Sequence, residues 1–141
     1  MTADWKGPLQ NVRVLDFTRV LAGPFATQLL GDLGADIVKI EAPGKGDDTR
    51  HFPPYLGGVS HYFIALNRSK RSLVLDLRKP EAIEIVRRLA AEADVVVENF
   101  RPGVMDRLGI GYAALSAINP RLVYCGISGF GATGPMAGRP S

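Results

Sequence analysis

The sequence predicts an open, doubly wound α/β fold built on a mostly parallel sheet. Short β-branched runs recur along the chain, and the stretches between them carry helical periodicity. The first strand–helix–strand passage closes within residues 11–43, the compass of a βαβ unit.

"NVRVLDFT" (11–18) is apolar and β-branched enough for a buried strand. In residues 21–34, Phe25, Leu29 and Leu33 sit four apart, with Ala26 and Leu30 on the adjoining stripe; this is the pattern of a helix with an apolar face. Pro24 suits the first turn, where its missing N–H has no partner to lose, and Gly34 suits the C-terminal cap. "ADIVKIEAP" (35–43) reads as a second strand, parallel to the first through a right-handed crossover. Residues 44–62 are rich in Gly, Pro and charge, and are expected to form a long loop of the kind that is functional or mobile. A strand follows at 71–77, and then a helix at 80–93 that Pro80 opens and that lines up Ile83, Val86 and Ala90. Residues 94–100 are a strand, 102–109 and 112–119 two short helices, and 121–128 the last strand.

The 141 residues suit one domain with a core, and 46% hydrophobic against 22% charged residues places it among ordinary globular chains. No apolar run approaches the roughly 20 residues that span a bilayer, and "MTADWKGPLQ" lacks the layout of a signal peptide. The single cysteine, Cys125, has no partner for an intramolecular disulfide; the expected location is the cytoplasm. His51 and His61 lack metal-ligand company, so no metal site is expected. A net charge of +3 is mild, and a balance of this size attracts nucleic acid, membranes or a polyanionic small molecule alike; the expected partner is a small molecule, with neither nucleic acid nor membrane.

Gly129, Gly131 and Gly134 spell G-x-G-x-x-G after the last strand, but Pro135, Gly138 and Pro140 follow and no acid lies downstream. A dinucleotide site needs a helix there, whose N-terminus holds the pyrophosphate, so the match fails on context. Gly109, Gly111 and Ala114 follow a helical turn and fail likewise. What remains is polar chemistry at the carboxyl ends of strands, where open α/β sheets hold ligands. Asp16, Arg19 and Val20 follow the first strand, Glu41 the second, Asp76 and Arg78 the third, Glu98 to Arg101 the fourth, and Ser128 the last. Phe100 offers an aromatic face, Asn99 a donor and an acceptor, and Arg78, Arg101 and Arg107 phosphate-type donors. Each also has a plainer role: arginines paired with carboxylates, Asn99 as a helix cap, Phe100 and Cys125 in the core. Together they suit a nucleotide with several phosphates.

"VLDFTRVLAGPFATQLLGDLGADIVKIEAPGKGDDTR", "NRSKRSLVLDLRKPE", "ADVVVENFRPGVMDRLGIGY" and "INPRLVYCGISGFGATGP" follow one another in this chain. In that order they resemble the opening of the family III coenzyme A transferases. The resemblance implies that residues 1–141 are the N-terminal, Rossmann-like CoA-binding part of a large domain, whose remainder and a small domain lie beyond. The glycine- and proline-rich ending is accordingly read as a truncation.

Positions that match the family's CoA contacts are Val20, Ala22, Leu75, Arg78, Asn99, Phe100 and Arg107, with Arg139 as a further basic contact. The resemblance further implies acyl-CoA and a carboxylic acid as substrates, no permanently bound cofactor, and interlocked homodimers. It implies a covalent route in which an aspartate attacks the thioester to give a mixed anhydride. That aspartate is expected C-terminal to Ser141, so no catalytic residue is assigned here and the chain alone is expected to be inactive. α-Methylacyl-CoA racemases share the fold but use "EGYRPG"-like versions, and "ENF" and "SGFG" favour the transferase branch. A non-catalytic CoA- or nucleotide-binding module is the remaining alternative. Leu21 and Ala42 stand where formyl-CoA transferases carry glutamine and arginine, which speaks against oxalate and formate as substrates.

Overall fold

The computed structural model describes residues 7–137 and Arg139. Gly138, Pro140 and Ser141 of the glycine-rich ending lie outside the described residues. Five strands form one sheet in the order β5-β2-β1-β6-β7, and every neighbouring pair is parallel. These are β1 (Arg13–Asp16), β2 (Asp36–Glu41), β5 (Lys70–Val74), β6 (Val95–Glu98) and β7 (Val123–Gly126). From β1 the chain steps outward through β2 to β5, then returns to place β6 on the other side of β1. The order reverses at β1, so the loops leaving β1 and β6 diverge to opposite faces, which opens a crevice at their carboxyl ends.

Alternation along each strand builds a core on both faces. Leu15, Ile40 and Val96 pack with Ala82, Val86 and Ala90 of α3 (Pro80–Glu92), with Met105 of α4 (Val104–Arg107) and with Leu115 of α5 (Tyr112–Ile118). Val14, Ile37 and Val97 form the opposite cluster, against which Leu30 of α1 (Ala22–Asp32) packs. The doubly wound arrangement expected from the sequence is therefore present. No helix among the described residues is long and apolar enough to cross a membrane.

Two expectations give way. The stretch 44–62 is no unbroken loop: it holds a 3-10 turn at Asp48–His51, a hairpin of β3 (Tyr55–Leu56) and β4 (Val59–Ser60), and the start of α2 (His61–Asn67). Gly57 and Gly58 take φ of 57° and 82°, the left-handed pair that a two-residue hairpin turn demands. Ser60 caps α2 by accepting the Phe63 N–H, and the Phe63 ring lies 3.8 Å from the Arg50 guanidinium carbon. So short a helix, carrying His, Tyr and Phe, is held by such contacts and not by intrinsic propensity.

The second concerns α1. Its apolar stripe does not face the sheet: Phe25 is 50% and Leu29 45% exposed, while Gly23, Pro24, Thr27 and Gln28 are buried. The small face wins because the helix start lies directly on the loop after β1. A Cβ at Gly23 would come within 2.3 Å of Thr18 Cβ. Gly23→Ala is expected to lower stability by ~2 kcal/mol, since neither backbone nor Thr18 has room to yield. Urea unfolding should show a lower midpoint at an unchanged slope.

Candidate functional site

Beneath the carboxyl ends of the strands lies a layer of buried charge. Asp16, the last paired residue of β1, accepts hydrogen bonds from the Thr18 N–H at 2.8 Å, Thr27 Oγ1 at 2.6 Å and Lys70 Nζ at 2.9 Å. Lys70 also donates to Pro24 O and Asn67 Oδ1, tying β5 to both α1 and α2. Burial pulls the Lys70 ammonium down from its ordinary value, against the attraction of Asp16. On β2, Lys39 Nζ donates to Thr18 O at 2.7 Å and lies 2.9 Å from Asp47 Oδ2. Glu41 takes both arms of Arg50 at 2.7 Å, the Ser72 hydroxyl at 2.7 Å and the Asp47 N–H at 2.9 Å. Burial alone would raise the Glu41 carboxyl, but the Arg50, Ser72 and Asp47 donors outweigh it and bring it to about 2.

Above this layer opens a cleft of about 460 Å³, with Phe17, Ile40, Leu75 and Phe100 as apolar walls and Lys45 and Arg78 among its basic groups. Arg78 is exposed at the rim and grips Asp76 through Nε and Nη2. Those hydrogen bonds hold the Asp76 carboxyl at about 2. The guanidinium is thus oriented by its neighbour and open to a phosphate on its solvent side. Phe100 follows β6, its N–H fixed by Glu98 Oε2 at 2.8 Å, and the Arg19 guanidinium carbon stands 4.9 Å from its ring centroid. That spacing is a cation–π contact. Burial, helped by the charge of Asp106, pushes the Glu98 carboxyl up.

Of the positions expected from the sequence, Leu75, Arg78 and Phe100 line this cleft together. Asn99 stands behind it: its Oδ1 accepts the Arg19 N–H and its Nδ2 donates to Arg19 O, both at 2.8 Å. The amide therefore clamps the loops that leave β1 and β6. Val20 and Ala22 are exposed on the loop after β1 and in the first turn of α1. Arg107, at the end of α4, and Arg139 are exposed and stand outside the cleft lining. Asp47 and Lys39 were not singled out by sequence reasoning. Lys39 carried one signal, a lone cation among apolar residues in "DIVKIE", whereas nothing local marks Asp47.

Cleft, basic rim and crossing point stand where a doubly wound sheet holds a nucleotide, and comparison with known proteins places the chain. Residues 9–141 match the family described as CoA-transferase family III. The chain belongs to that family. It is 51% identical over 133 residues to mouse succinyl-CoA:glutarate CoA-transferase, covering 94% of this chain and 30% of that protein. With acetyl-CoA:oxalate CoA-transferase of Acetobacter aceti it shares 54% identity over 136 residues, 96% of this chain and 35% of the relative. A CAIB/BAIF family protein from Brucella suis superimposes with a TM-score of 0.91 at 50% identity, over 96% of this chain and 37% of the other. This family III chain thus spans about a third of the length of the relatives it matches. Relatives named for glutarate and for oxalate match it about equally well, so overall identity does not select an acid.

Glu41 makes the site acid-sensitive. Its carboxyl sits at about 2 when folded against an ordinary 4.5, so its contribution is full above pH 4.5 and is lost as pH falls towards 2. Denaturant midpoints measured through that range should fall less steeply for Glu41→Gln than for the unsubstituted protein.

Proposed function

We propose that this chain is the CoA-binding part of an enzyme that moves CoA from an acyl-CoA thioester to a carboxylic acid. The observation that carries the reading is the cleft at the crossing point, apolar within and basic at its edge. Coenzyme A has that composition: an adenine and a pantetheine arm to bury, and phosphates to neutralise. Phe17, Leu75 and Phe100 supply apolar surface, while Arg78 and Lys45 face the phosphates. Asn99 acts on the ligand through the Arg19 backbone, and Val20 and Ala22 offer the surface of the loop and helix start. Arg107 and Arg139 reach the ligand from outside the cleft lining.

In the reaction, an aspartyl oxygen C-terminal to Ser141 attacks the thioester carbonyl. The carbon–sulfur bond breaks, the acyl group stays on the enzyme as a mixed anhydride, and CoA is retained as its thiolate in the site described. The acceptor carboxylate then displaces the donor, which leaves as its own carboxylate, and so forms the mixed anhydride with the aspartyl group. The thiolate attacks the acceptor's carbonyl carbon, the carbon–oxygen bond to the aspartyl group breaks, and CoA leaves as the acceptor's thioester with the aspartate restored. Splitting the exchange in two lowers each barrier, and holding the thiolate keeps its next attack effectively unimolecular. Acyl-CoA and carboxylic acid are the small-molecule partners, and the working form is a homodimer in the cytoplasm.

Titration calorimetry of the full-length protein with CoA tests the reading. Arg78→Ala, Asn99→Ala and Arg107→Ala should each weaken binding by about tenfold, the loss of one charge-assisted contact or of the loop clamp. Three unchanged affinities would reject it.

A further inference from the structure

The loop that carries the chain from β1 into α1 is held by side chains. Sheet pairing of β1 ends at Asp16, and Thr18, Arg19 and Val20 are each gripped from a different segment. Lys39 Nζ, from β2, takes the carbonyl of Thr18 at 2.7 Å. Asn99, from the loop after β6, takes both backbone groups of Arg19. Asp47 Oδ1, from the loop after β2, accepts the N–H of Val20 at 3.3 Å as well as the N–H and hydroxyl of Thr49. Val20 sits at φ 69°, a left-handed conformation that a β-branched residue keeps only when its surroundings enforce it.

Lys39 and Asp47 are themselves an ion pair whose side chains are 2% and 0% exposed. As a stabilising device such a pair is poor, because an apolar pair of similar volume often serves as well or better. Asp47 Oδ2 makes no aligned hydrogen bond among the described residues, although the Lys39 ammonium is within contact distance. Burial pushes the Asp47 carboxyl up, yet Lys39 and Thr49 outweigh it and keep it below the usual carboxylate range. The buried charge is thus preserved at a place where two of the three loop residues depend on it.

We propose that Lys39 and Asp47 are positioning residues for the ligand loop: they hold Thr18 and the left-handed Val20 on the path that sets Arg19 over Phe100 and presents Val20 to CoA. They act through the loop backbone and take no part in the transfer itself. The inference rests on the CoA reading of the cleft.

Three variants of the full-length protein test it: Asp47→Leu, the double variant Lys39→Met/Asp47→Leu, and Asp47→Leu combined with Val20→Gly. Amide exchange without ligand is read first, because it does not depend on what the cleft binds. Asp47→Leu should speed exchange at Val20 while the strand amides of Leu15 and Val97 keep their protection. CoA affinity, by calorimetry, should fall by about tenfold, the loss of a hydrogen bond to a charged group. The double variant restores an apolar match and should melt no lower than Asp47→Leu, yet its affinity should stay weak. Val20→Gly removes the left-handed penalty, so Asp47→Leu should cost less affinity in that background than alone, a coupling that general destabilisation does not produce. Wild-type affinity in a folded double variant would overturn the proposal, as would additive effects of Asp47→Leu and Val20→Gly. Should the unsubstituted protein itself fail to bind CoA, the CoA reading falls; the exchange rate at Val20 then decides alone whether the pair holds the loop, and an unchanged rate overturns it.

Discussion

The carboxylate of Asp16 gathers the carboxyl end of the sheet around one buried charge. It has no solvent exposure and stands at the end of the central strand, beside both β2 and β6. Its donors come from the following loop, from α1 and from β5. A buried carboxylate that loses a partner costs about 3–5 kcal/mol, so each of those segments is held in place by the penalty for leaving. The position of α1 follows from this. Thr27 must reach Asp16, the face of α1 that carries Thr27 must turn inward, and Gly23 is the residue that lets the helix start come close enough.

The fold therefore divides its labour along the strand direction. Through the middle of the sheet, Leu15, Val86 and Val96 on one face and Val14, Ile37 and Val97 on the other bury apolar surface, which is strong but non-directional. Towards the carboxyl end the same face changes character. Lys39 and Glu41 follow Ile37 at the period of two, and in place of packing they reach into the loops at Asp47 and Arg50. Directional bonds of that kind fix loop geometry where apolar packing would leave it free to settle in several ways.

This arrangement leaves hydrophobic surface outside. Phe25 and Leu29 on α1, Leu33 at its C-cap and Ile64 on α2 are exposed together with Tyr55, Leu56 and Val59 of the hairpin. The polar anchoring of α1 turns them outward, so the amphipathic pattern is real and its direction is opposite to that of an ordinary core helix. The clamp between Asn99 and Arg19 shows the same logic within the site. An amide that looks like a ligand contact in the sequence makes hydrogen bonds through both its oxygen and its nitrogen to the backbone of a neighbouring loop.

By itself the sequence determined the parallel α/β class, the strand and helix segments of the sheet, and the carboxyl-end placement of Arg78, Asn99 and Phe100. Each of these follows from a local pattern, apolar period or turn chemistry, that is complete within a few neighbouring residues. Only the tertiary structure decided that α1 buries its small face, that residues 61–67 are helical, and that Lys39 and Asp47 meet beneath the loop after β1. Those outcomes rest on bonds between groups far apart in the chain, such as Lys70 to Asp16 and Asn99 to Arg19. Their energy depends on strand register and burial, and neither exists until the sheet has formed.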